Sequence, residues 1–129
     1  MRTDSIGPRG RWADCSGATA VEFALVMPAF FMLIIGGFYM AGLLYVTSSM
    51  QYAVEAGARC ASVNTTICTS AATTVTYAQS HFMAAGATTP TFASSTAPCG
   101  HSVTGTVTYV LDIGLSKINV PLSASACFP

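Results

Sequence analysis

The sequence predicts an α+β chain: a long N-terminal transmembrane and stalk helix, then a small disulfide-stapled domain with a short helix and an antiparallel sheet. Three observations carry this. Residues 23 to 46 form 24 positions without a charge, four cysteines fall at or beyond the far end of the helical region, and apolar residues alternate with threonines from Val103 onward.

The uncharged stretch, as a helix rising about 1.5 Å per residue, covers roughly 36 Å, enough to cross a hydrocarbon core of about 30 Å. One carboxylate, Glu22, sits at its start. A carboxylate entering a bilayer costs about 2 to 3 kcal/mol, so Glu22 is expected to have a partner and a role there. The helical reading runs from Ala18 to about Val63, roughly 46 residues or about 69 Å, interrupted only by Pro28. Pro28 lacks an N–H and clashes with the carbonyl of Ala24, which predicts a kink. Beyond the span, Val46, Met50, Ala53, Gly57 and Ala61 share one face, and Gln51, Glu55 and Arg59 form the opposite, solvated stripe. Small residues four apart, Gly37 with Ala41 and then Ala53, Gly57 and Ala61, allow close helix approach. A second subunit and the chain's own domain are both open as the partner of the second set.

With 129 residues, net charge zero, 8% charged and 52% hydrophobic residues, the chain is too apolar for an ordinary small soluble domain and has no basic cluster to meet nucleic acid. Residues 1–17 read as a polar cytoplasmic leader. They carry Arg2, Arg9 and Arg11 before the span, against Arg59 alone shortly after it, so the positive-inside rule places the N-terminus in the cytoplasm and the rest outside. A cleaved secretory signal has a much shorter apolar core, and Ala56-Gly57-Ala58 lies inside a helical pattern.

Residues 64–129 form the exported α+β domain, a size at which covalent staples are common. Cys60, Cys68, Cys99 and Cys127 make an even set with three possible connectivities, while Cys15 lies before the span. The favoured pairing joins Cys60 to Cys68 at the helix exit and Cys99 to Cys127 between the pre-sheet loop and the last strand. Val75, Ala78, Phe82 and Ala85 predict a helix over about 71–85 ended by Gly86. Residues 87–102 read as loop with an edge strand near Phe92. Val103, Val107, Tyr109, Leu111 and Ile113 predict one strand; Ile118, Val120, Leu122, Ala124 and Ala126 predict another, connected through Gly114 to Lys117 and placed at the edge by Pro121.

His81 and His101 are the two histidines, and Asp112 and Lys117 the two charges after Arg59, so no catalytic set and no cofactor site can be assembled. Cys99-Gly100-His101 as a metal site is the weaker explanation beside two disulfides, and Asn64-Thr65-Thr66 fits a glycosylation sequon.

Ser16-Gly17-Ala18-Thr19-Ala20-Val21-Glu22-Phe23-Ala24-Leu25 resembles the processing site of type IV pilin-like precursors. The similarity is greatest to the TadE/TadF-like pseudopilins (minor pilins) of tight-adherence (Flp-type) pilus systems. It continues through Pro28, Gly36-Gly37, Tyr45 and residues 53–59, although the charged pair common in the family near Met40 to Leu43 is absent and the cysteine-bearing end is not a general family feature. The resemblance implies a structural, non-enzymatic subunit without cofactors or metals. It implies cleavage by a prepilin peptidase between Gly17 and Ala18, with Glu22 becoming the fifth residue and an assembly contact. The implied partners are the peptidase, other pilin subunits, the pilus assembly platform and membrane lipid, at the bacterial cytoplasmic membrane or in an extracellular pilus serving adhesion. The alternative is a single-pass anchor that presents a small disulfide-bonded binding domain without polymerising.

Overall fold

The computed structural model describes residues 16–84, 86–112, 114 and 116–129. The three leader arginines, Cys15, Ala85 and Ile113 lie outside the described residues. The element order is α1 (Ser16–Val63), α2 (Ala71–His81), β1 (Thr91–Ala97), β2 (Gly100–Asp112) and β3 (Lys117–Phe128). The chain divides into two units, Met1–Gly37 and Phe38–Pro129.

In the first unit the described backbone belongs entirely to α1, with Pro28 inside the helix. Its apolar side chains are uncovered: Leu25 and Leu33 are each 75% exposed, and Val21, Phe23, Phe30, Phe31 and Met32 are also open. Such a surface requires lipid or other helices to cover it.

In the second unit the sheet is antiparallel in the order β1-β2-β3. Its ladders place Phe92 opposite Gly105 and Val103 opposite Ala126. One sheet face and α2 bury the apolar face of α1 that the spacing predicts. Val46, Met50, Ala53, Val54 and Ala58 form one core with Ala78, Phe92, Val103, Val107, Tyr109 and Ala124. Two staples close this small core: Cys60 is bonded to Cys68 (Cα–Cα 5.8 Å) and Cys99 to Cys127 (Cα–Cα 6.2 Å). Thr74, the buried polar residue among those described, donates its hydroxyl to the Ser70 carbonyl at 3.0 Å.

Two local expectations differ from the structure. Helix α2 begins as expected, with Ser70 and Thr73 forming a capping box, but ends at His81 rather than near residue 85. Phe82 turns to an extended conformation and sets its ring edge-to-face against Phe92, 6.2 Å between centroids, while the Met83 N–H donates to Ser49 Oγ of α1 at 2.8 Å. Tertiary contacts therefore stop the helix before Gly86. The polar stretch read mostly as loop contains β1, seven residues long, and β2 starts at Gly100. One buried side chain, Phe92, and backbone pairing to β2 suffice to make TFASSTA a strand.

Candidate membrane and assembly segment

Gly17, Ala18, Glu22 and Pro28 all lie on α1. Gly17 is exposed, and a Cβ built on it meets nothing within 4 Å. The backbone of Ala18 stands four residues before Glu22, one helical turn along the axis. Glu22 is exposed and, among the described residues, makes no ion pair. The segment Thr19–Val63 contains the one described helix long and apolar enough to cross a membrane, with a mean hydropathy of 2.1 over its most apolar window.

Farther along α1, the small-residue set Ala53, Gly57 and Ala61 is buried within the second unit. A Cβ on Gly57 would lie 3.1 Å from Ala78 Cβ and 3.6 Å from the Val103 methyls. The chain's own α2 and β2 thus occupy this face. Glu55 and Arg59 remain exposed and outside ion-pair distance; Lys117–Asp112 at 3.4 Å is the ion pair among the described residues.

An open groove beside this stretch of α1 is lined in part by Tyr52, Arg59, Tyr77 and His81. The rings of Tyr77 and His81 lie 4.3 Å apart. His81 Nδ1 is 2.9 Å from the Tyr77 carbonyl and 3.2 Å from Ser80 Oγ, but the Ser80 hydroxyl donates to that same carbonyl at 2.7 Å. No carboxylate among the described residues hydrogen-bonds the imidazole, so these neighbours lack the orienting group that a nucleophile-base pair needs. Cys99 is committed to Cys127, and the described residues contain no cluster of three or more metal-ligating side chains.

The features that do converge are an exposed apolar helix, a glycine at its start, a carboxylate five residues later and a distal half covered by the chain's own sheet. Residues 17–59 match the TadE-like protein family. The TadE-like segment begins at Gly17 and ends at Arg59, one residue before the first disulfide cysteine, so the sheet and both staples lie outside it. That family is associated with the tight-adherence pilus and is structural rather than catalytic. No curated protein and no solved structure matches the chain.

Sequence reasoning did not single out Tyr39, Gly105 or the Asp112–Lys117 pair. Gly105 carried a readable signal, since glycine inside a strand marks close approach by another group. Tyr39 carried only its type, an aromatic residue near one end of an apolar run.

Proposed function

We propose that the protein is a minor pilin, or pseudopilin, of a tight-adherence pilus. The observation that carries this reading is the TadE-like match over residues 17–59, which starts at the glycine where a polar leader gives way to the apolar helix. In this reading residues 1–17 are a cytoplasmic leader, residues 18–63 the spanning and stalk helix, and residues 64–129 the exported domain. A prepilin peptidase cuts between Gly17 and Ala18, removing Cys15 with the leader. The product stays in the bacterial cytoplasmic membrane, in contact with lipid, until it meets other pilin subunits and the assembly platform. Glu22 is the assembly contact, and Pro28 loosens the helix locally. The uncovered apolar side chains of α1 support this role, because they demand a lipid or helical cover.

The test is the intact mass of the protein extracted from membranes of cells with and without an active prepilin peptidase. We expect a product beginning at Ala18 in the first and the uncut chain in the second. A membrane-resident protein retaining residues 1–17 in both would remove the pilin reading and leave the single-pass anchor.

A further inference from the structure

In the second unit the β2–β3 hairpin lies along α1 with its turn at the Phe38 end of the helix. Tyr39 Oη donates to the Asp112 carbonyl at 2.6 Å across 73 residues of sequence, and the Tyr109 hydroxyl lies over Gly42. Asp112 organises the turn: Oδ1 accepts from the Gly114 N–H at 3.0 Å, and Oδ2 stands 3.4 Å from Lys117 Nζ. The two charged side chains are 54% and 70% exposed. Ile118 follows on the strand face that carries Val120, Leu122 and Ala124 into the core, yet it is 50% exposed.

These groups set a limit on the bilayer. Strand β3 is an edge of the sheet, with one row of backbone groups unpaired by any strand, and hydrocarbon tolerates neither an open sheet edge nor an exposed ion pair. The hydrocarbon therefore ends before α1 reaches Tyr39, although the strongly apolar stretch continues to Val46. About twenty residues of helix rise about 30 Å, the thickness of a hydrocarbon core, so a span that stops at Phe38 begins at about Thr19 and holds Glu22 near its other edge. Leu43 and Val46 are apolar for a different reason: they pack into the sheet core, while Leu44 and Tyr45 stay exposed.

We propose that the hairpin end, formed by Tyr39, Asp112, Lys117 and Ile118, rests on the phospholipid surface and fixes the depth of α1. The Tyr39 ring lies at headgroup level, Ile118 meets the acyl boundary, and the Lys117 ammonium reaches lipid phosphates on its long stem. The proposal rests on α1 spanning a bilayer and requires neither cleavage nor pilus assembly.

The full chain, with its one tryptophan replaced (Trp12→Phe), is reconstituted at low protein density in vesicles of phosphatidylcholine and phosphatidylglycerol. Single tryptophans are introduced as Ile118→Trp, Phe31→Trp or Tyr52→Trp, with disulfide formation checked by non-reducing mobility. Lipids brominated near the headgroup end of the acyl chains should quench Ile118→Trp about twofold or more and leave Tyr52→Trp nearly unchanged, and lipids brominated near the chain ends should quench Phe31→Trp most. Adding Lys117→Glu should roughly halve the quenching of Ile118→Trp in anionic vesicles, and Lys117→Arg should preserve it. Quenching at Phe31→Trp but not at Ile118→Trp overturns the hairpin contact alone. A blue-shifted, unquenched Ile118→Trp means that a protein neighbour covers the hairpin, which also overturns it. No quenching at Phe31→Trp removes the membrane span and the proposal together.

Discussion

A methyl group added at Gly105 would lie 2.6 Å from the Met50 sulfur and 2.8 and 2.9 Å from two carbons of the Phe92 ring. The absent side chain is therefore what lets β2 approach α1 while Phe92 lies across the strand. Overpacking of this kind costs about 1 to 3 kcal/mol, more than the roughly 0.5 to 1 kcal/mol that removing a strand glycine returns. Gly105→Ala should lower stability by about 1 to 2 kcal/mol and Gly105→Val by more, measured by urea unfolding of the full chain in detergent micelles. At Gly57 the near neighbours are Ala78 Cβ and the Val103 methyls, so Gly57→Val should destabilise the same domain by about 2 kcal/mol. Unchanged stability in both variants would mean that neither approach is tight. The alternation of Val103 and Val107 with threonines already puts position 105 on the core face. Which side chains fill the space above it depends on the Phe92↔Gly105 register and the height of Met50, both nonlocal.

At the scale of elements, each staple closes a different loop. Cys60–Cys68 spans 8 residues between the end of α1 and the turn before α2, whereas Cys99–Cys127 spans 28 and ties the β1–β2 connection to the end of β3. Loop-closure entropy assigns them about 2.5 and about 3.5 kcal/mol, so Cys99→Ser with Cys127→Ser should cost about 1 kcal/mol more than Cys60→Ser with Cys68→Ser. Unfolding in micelles checks the order, and a reversed order would show that local geometry outweighs closure entropy. The periodic elements were legible: the apolar face of α1, the alternation in β2 and β3, and the edge position implied by Pro121 correspond to the packing observed. The C-terminal end of α2 and the extent of β1 were not. The first is decided by Phe82 meeting Phe92 and by Met83 meeting Ser49, the second by backbone pairing of a sequence with one buried aromatic residue.

For the whole molecule, the apolar run has two solvents. Up to Phe38 its side chains await lipid or helices, whereas from Leu43 one face of the helix, including Val46 and Met50, is dissolved in the chain's own core while Leu44 and Tyr45 stay exposed, a division that hydropathy alone does not register. At the N-terminal end the sequence singles out Gly17 and Glu22, and both lie in the first turns of α1; who meets Glu22 is a property of an assembly rather than of one chain. After cleavage the new amino group of Ala18 would stand four residues from Glu22, close enough to neutralise it within one subunit or between two. Glu22→Ala should leave insertion and cleavage intact but reduce crosslinking to other pilins at least about tenfold at matched membrane levels, since losing one partner of a desolvated pair costs about 2 to 5 kcal/mol. Glu22→Gln separates charge from shape, and normal crosslinking of Glu22→Ala would mean that the carboxylate is no assembly contact. The core also imposes an order in time. Its α1 residues, ending at Ala58, are made long before Ala124 of β3. At about 5 to 20 residues per second the ribosome leaves that helix face incompletely covered for about 3 to 13 s. During that interval Cys60 can close on Cys68, but Cys99 has no Cys127 to meet, and a premature bond from Cys68 to Cys99 would have to be undone. The second staple, which ties the β1–β2 connection to the end of β3, is therefore the last of the two that the growing chain can close.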